Sequence, residues 1–282
     1  MDRRSFLLAL AGGLAAAAVG RGATGLGDTD PAPVAPPPAA ASGSTAELPA
    51  APTGIAAAPA LPPTGVVQSL PGDGTSLALT IDDGTNTEVV AAFAAFAADS
   101  GTRLTFFPNG CYRSWADNAK AFRPLVDSGQ VALGNHTWSH PDLTTLTDGE
   151  IAEEIGRNRD FLRSVFGVHD TPFFRPPYGA RNARVDRIAA DQGHPSVVLW
   201  NGTLEDSRVL TADELMAAAQ KWFTAQRIVI GHANHPTVTT LYGDLLALIA
   251  ERNLRTVTLA DVWSTPAQRL RGITVTGRAG LA

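Results

Sequence analysis

Downstream of residue 66, short apolar runs alternate with longer stretches in which apolar residues recur every three or four positions. Runs of the first kind, bounded by Gly, Pro, Asn or Asp, predict strands, and stretches of the second kind predict helices that bury one face. Strands are predicted at Ser76–Ile81, Arg103–Phe107, Gln130–Leu133, Phe173–Arg175, Ser196–Trp200, Arg227–Ile230 and Arg255–Leu259. Between them, Glu88–Ala98, Asn182–Gln192 and Tyr242–Arg252 read as helices. Two further helices announce their starts, because Thr147 with Glu150 and Thr211 with Glu214 stand at capping-box spacing. About seven strands with as many helices predict an α/β fold, a compact or incomplete (β/α) barrel of parallel strands with helices outside. A doubly wound open sheet is the alternative.

The first 65 residues follow neither register. Met1 to Gly20 places Arg3-Arg4 before Phe6-Leu7-Leu8 and then a run of small apolar residues. A charged start, an apolar stretch and small residues make an export signal, and the paired arginines resemble the twin-arginine type. Residues 1–27 are therefore expected to be a signal, cleaved among the small residues near Ala15 to Ala23, rather than a retained anchor. Residues 28–65 are rich in Pro and Ala and are expected to form an extended tether. The folded domain is expected over 66–282. The net charge is -5 with no basic stripe, which argues against nucleic-acid binding. Cys111 is the only cysteine, so there is no internal disulfide and no thiolate metal cluster.

The unusual polar residues collect where predicted strands end: Asp82-Asp83, then His136 and His140 in "GNHTWSH", Arg175 to Gly179 in "RPPYG", Asp206 in "WNGTLEDS", and His232 in "IVIGH". In both candidate folds the carboxyl edge of the sheet is where active sites are built. Two imidazoles and a carboxylate suit a catalytic zinc site with an open position for water. Neighbouring residues on a strand project to opposite sides. One aspartate is thus expected to face the metal and the other the substrate, as a base. His169 and His194, each near a probable turn, read as surface residues. Trp115, Trp222 and Trp263 read as packing residues, with Trp115 the one candidate sugar platform.

Taken in order, "TIDDG", "HTWSH", "RPPYG", Asp206 and "VIGH" resemble the polysaccharide deacetylases of the fourth carbohydrate-esterase family, the NodB-homology group. The resemblance runs from about Ser76 to Trp263 and implies a distorted (β/α) barrel that removes acetyl groups from carbohydrate. It implies Asp82 as catalytic base, Asp83, His136 and His140 as metal ligands, and Arg175 as the residue holding the base. Tyr178 would offer its backbone N–H to the oxyanion, and His232, oriented by Asp206, would protonate the leaving nitrogen. The implied metal is zinc, with cobalt or manganese as alternatives. Departures are visible. Thr85 stands where the family's first motif commonly has Pro, and Thr203 and Ser207 stand where many relatives have an aspartate and a pocket-shaping tryptophan. Leu204, Leu199 or Trp200 is expected to line the acetyl pocket instead. The expected protein is an exported, extracytoplasmic, monomeric deacetylase of N-acetylated envelope glycan, peptidoglycan or chitin-like, whose partners are that glycan and the twin-arginine export machinery. An O-acetyl esterase, an inactive glycan-binding module and a non-haem iron oxygenase, which also uses two His and one Asp, are the rivals.

Overall fold

The structure, a computed structural model, describes residues 59–264. The expected signal and most of the expected tether lie outside the described residues. Among the described residues there are nine strands: β1 (Gly65–Val67), β2 (Ser76–Asp83), β3 (Leu104–Pro108), β4 (Val131–Leu133), β5 (Phe173–Phe174), β6 (Ser196–Val198), β7 (Gly202–Thr203), β8 (Arg227–His232) and β9 (Arg255–Thr256). The helices are α1 (Thr87–Ser100), α2 (Arg113–Asp117), α3 (Ala119–Asp127), α4 (Asp148–Phe166), α5 (Ala183–Asp191), α6 (Ala212–Trp222), α7 (Tyr242–Glu251) and α8 (Leu259–Val262).

All strand ladders are parallel. One sheet runs β4-β3-β2-β8-β7, with β9 beside the first two residues of β2, and the other runs β1-β6-β5. A parallel bridge between Asn135 and Phe174 joins β4 to β5, and the chain of β6 continues through Trp200 into β7. The two sheets therefore close into a distorted (β/α) barrel rather than an open sheet. Central β2 is buried from Leu77 to Asp82, as expected for a strand covered on both faces. Its neighbours in the main core include Val89, Phe93 and Phe96 of α1 and Leu245, Leu248 and Ile249 of α7.

Both predicted capping boxes form, at Thr147–Glu150 and Thr211–Glu214. The sequence reading missed α2 and α3, which are short, and α3 carries Pro124, a residue that argues against a helix interior. It also ran the last strand too far: a third box, Thr258 with Asp261, starts α8 at Leu259. The tether ends earlier than expected. Ala60 N–H donates to Val262 O at 2.9 Å, Ser196 Oγ donates to Pro63 O at 2.6 Å, and Gly65 opens β1, so residues 60–65 belong to the folded domain. Among the described residues no helix is long and apolar enough to cross a membrane.

Candidate active site

Strand β2 delivers Asp82 and Asp83 to the carboxyl end of the barrel, but not on opposite sides. Asp83 has φ 67° and Gly84 φ 98°, a left-handed step that breaks strand alternation. As a result His136 Nε2 lies 3.6 Å from Asp82 Oδ2 and 3.4 Å from Asp83 Oδ1. The divergence expected of a regular strand is therefore absent. Trp115 holds the step in place. Its Nε1 donates to Asp83 O at 2.6 Å, and a Cβ on residue 84 would sit 2.2 Å from that nitrogen, so only glycine fits. Trp115 is fully buried and serves packing, not sugar stacking.

His136 and His140 converge by backbone turns rather than by a helix. Thr137 has φ 69° and His140 φ 63°. Five of the seven described non-glycine residues with positive φ, namely Asp83, Thr137, His140, Tyr178 and Glu205, belong to these strand-end loops. Strained backbone of this kind persists only where surrounding contacts impose it, and it concentrates at functional sites. Here Asn109 Nδ2 donates to His136 O at 2.6 Å, and Asn135 Oδ1 accepts from Thr137 N–H at 3.0 Å. His136 Nδ1 donates to Arg175 O at 2.7 Å, which leaves the Nε2 lone pair free to ligate. His140 Nε2 is 3.4 Å from Asp83 Oδ1. One ligand atom each from Asp83, His136 and His140 thus falls within 4.8 Å of the others. Asp83 Oδ1 is buried and has no hydrogen-bond partner among the described residues. An orphaned carboxylate oxygen facing two imidazole nitrogens fits a divalent cation. Burial alone would raise the Asp83 carboxyl, yet His136, His140 and His232 outweigh it and hold it well below the usual carboxylate range. Burial pushes His140 down and favours its neutral, ligating form.

Arg175 is fully buried. Its Nη1 donates to Asp82 Oδ1 at 2.7 Å and to Thr80 Oγ1 at 2.9 Å, and Nε donates to Val198 O at 3.1 Å. The rings of Phe107 and Trp200 lie 4.2 and 5.6 Å from its guanidinium carbon. Across the β2–β8 ladder Asp82 pairs with His232. Asp206 grips His232 twice: Oδ1 is 2.8 Å from Nδ1, and Oδ2 accepts the backbone N–H at 3.0 Å. Burial would lower His232, but Asp206, with Asp82 and Asp83 behind it, pushes the imidazole up to about 9. Thr203, one of the departures, accepts from Glu205 N–H at 2.9 Å and so supports the turn that presents Asp206.

Tyr178 sits at the rim with φ 59° and a 71% exposed residue surface, its ring centroid 4.5 Å from that of His140. Trp200 is half-buried beneath Arg175 and near Gly179. Leu204 corrects the sequence reading. It is only 3% exposed and packs in the main core against Ile81 and Gly231, so it does not line the open site. Trp138 points away, with Arg157 over its ring at 4.6 Å.

His194 is a second correction. Far from being a surface residue, it is buried, with Nδ1 2.7 Å from Thr171 O and Nε2 3.0 Å from Asn135 Nδ2. The first nitrogen donates and the second accepts, so the ring is neutral and braces the residue before His136. Burial pushes its pKa down to about 4. The unfolded chain, titrating near 6.5, binds more protons between these values. The stabilisation from neutral His194 is thus complete above pH 6.5 and falls away toward pH 4, by about 2 kcal/mol at pH 5. Urea unfolding of the metal-free protein from pH 7.5 to 4.5 is expected to show this slope, and His194→Gln is expected to lose that share of it. Parallel pH profiles for the two chains would refute the assignment.

A model of the polysaccharide deacetylase family matches residues 70–197. Residues 70–197 thus carry a polysaccharide deacetylase domain. Over 192 residues, or 68% of the chain, it is 26% identical to the peptidoglycan-N-acetylglucosamine deacetylase PgdA of Listeria monocytogenes, spanning 40% of that protein. Over 79 residues, 28% of the chain, it is 44% identical to chitin deacetylase 1 of Cryptococcus neoformans, spanning 16% of that protein. The chain thus spans less than half the length of either relative. The fold is shared with a Bacillus anthracis protein described as a CE4 family pseudoenzyme, with a TM-score of 0.63, 19% identity, and coverage of 71% of this chain and 69% of that one. Asp82, Asp83, His136, His140, Arg175, Asp206 and His232 come together at this end of the barrel. What the motifs did not reveal is Asn234, whose amide reaches Asp83. It lies just past the end of β8, two residues after His232.

Proposed function

We propose that the protein is a metal-dependent hydrolase that removes acetyl groups from N-acetylated glycan outside the cytoplasmic membrane, with peptidoglycan the first candidate and chitin-like glycan the second. The observation that carries this reading is the pairing of Asp82 with His232 across β2–β8, beside the Asp83–His136–His140 cluster. A divalent cation held by those three residues would supply Lewis acidity, drawing electrons from the acetyl carbonyl and acidifying water.

Asp82 accepts the proton of the attacking water. Arg175 aims that carboxylate through its Nη1 hydrogen bond. The backbone N–H of Tyr178, in its left-handed turn, donates to the oxyanion as the carbonyl carbon becomes tetrahedral. An amide nitrogen must gain a proton before it can leave. His232, held protonated through neutral pH by Asp206, donates it, and acetate and the free sugar amine result. Trp200 and Leu199, both half-buried, are the remaining candidates for the pocket around the acetyl methyl. The names of the relatives supply the substrate class, and the Arg3-Arg4 signal pattern supplies the place.

A base, a charge to hold it and an oriented acid in register with the ligand cluster have no use in a mere glycan binder. Acetate release from peptidoglycan, chitin oligomers and O-acetylated xylan, with zinc, cobalt and manganese in turn, tests the reading. N-acetyl glycans are expected to be cleaved, with loss of activity on chelation and recovery on adding metal. Glycan binding without acetate release by metal-loaded protein would overturn it.

A further inference from the structure

The side chain of Asn234 joins two things that the site requires. Its Nδ2 donates to Asp83 Oδ2 at 2.7 Å. Its Oδ1 accepts from Thr85 N–H at 3.0 Å, from Thr85 Oγ1 at 2.9 Å and from Gly84 N–H at 3.3 Å. The amide has only one sensible orientation. Rotated by half a turn, its oxygen would meet a carboxylate and its NH2 would meet N–H donors.

We infer that Asn234 is a positioning residue that occupies one oxygen of Asp83 and thereby commits the other, Oδ1, to the two imidazoles. Oδ2 accepts from the amide, whereas Oδ1 lies 3.4 Å from Nε2 of both His136 and His140. The same side chain ties down the left-handed Asp83-Gly84 step that brings the carboxylate there. The clamp is matched to this chain's departure from its family. A proline after the "DDG" would stiffen the turn but has no N–H to offer. Thr85 offers both N–H and hydroxyl, and Asn234 takes both. Because Asn234 follows β8, that strand end carries three functions together: His232 itself, the Ala233 N–H that donates to Asp82 O at 3.0 Å, and the clamp on Asp83.

The inference rests on the proposed metal site, and zinc affinity separates the two. It is measured by competition with a chromophoric chelator, alongside the visible spectrum of the Co2+-substituted protein and the Tm of the metal-free protein. Asn234→Ala and Asn234→Asp are both expected to bind zinc about ten- to a hundredfold more weakly and to shift the cobalt bands. Asn234→Asp keeps an acceptor for Thr85 and Gly84 but sets a second carboxyl oxygen against Asp83 Oδ2, so its metal-free Tm is expected to fall below the wild-type value; a purely structural role would leave its zinc affinity unchanged. Should Asn234→Ala fail to fold, Asn234→Asp carries the test. Zinc affinity within twofold of wild type in the folded variants, with unchanged cobalt bands, would overturn this inference alone. A wild-type protein that retains no zinc would overturn it together with the metal site.

Discussion

Asp82→Asn is expected to lower kcat/KM for acetate release by about two to four orders of magnitude, the usual contribution of a positioned general base, while zinc affinity changes little. Distance alone does not separate the two aspartates, since their nearest oxygens lie 3.6 and 3.4 Å from the same His136 nitrogen. Their partners do. Asp82 Oδ1 is already engaged by Arg175, whereas Asp83 Oδ1 has no hydrogen-bond partner among the described residues. The first carboxylate is thus held by Arg175 and placed to move a proton, and the second is left to ligate. Asparagine at 82 keeps the Arg175 hydrogen bond but loses the charge. It should therefore also destabilise the fold, because Arg175 is fully buried and its charge would lose its counterion. Breaking a buried pair in this way costs about 3–5 kcal/mol. Kinetics, zinc titration and unfolding on the same preparation check all three. The base assignment fails if the variant keeps more than a tenth of wild-type activity or if zinc binding falls with the rate.

The barrel was legible because its strands are apolar runs ending in polar residues that no core would tolerate. Ser76 to Asp83 shows this most plainly, and the two threonine-headed boxes mark α4 and α6 as clearly. Periodicity carries no information on backbone handedness, however. The left-handed turn at Asp83 defeats strand alternation, and left-handed turns at Thr137 and His140 bring the two imidazoles together. Nor does a sequence show which polar residue the fold will enclose. His194 and Leu204 each lie near a loop, yet tertiary contacts take both inside. Asn234 looked like loop composition because its partner, Asp83, is 151 residues away.

His232→Ala is expected to separate two substrates that the same site can hold. Release of acetate from an N-acetyl glycan should fall by about two to four orders of magnitude, because a sugar amine cannot depart as its anion. Hydrolysis of 4-nitrophenyl acetate should fall less than about tenfold, since nitrophenolate needs no proton and Asp82, Arg175 and the ligand cluster are untouched. Asp206→Asn extends the argument to pH. Asp206 raises the imidazole through a 2.8 Å contact and its charge, so its neutral replacement lowers that pKa. A general acid works in its protonated form, and amide cleavage is lost as pH rises through its pKa. The alkaline limb of the amide profile should therefore move to lower pH in Asp206→Asn, and the ester profile should not. Equal loss of amide and ester cleavage in His232→Ala would remove the histidine from the role of proton donor. An unmoved alkaline limb in Asp206→Asn would deny the carboxylate its hold on that proton.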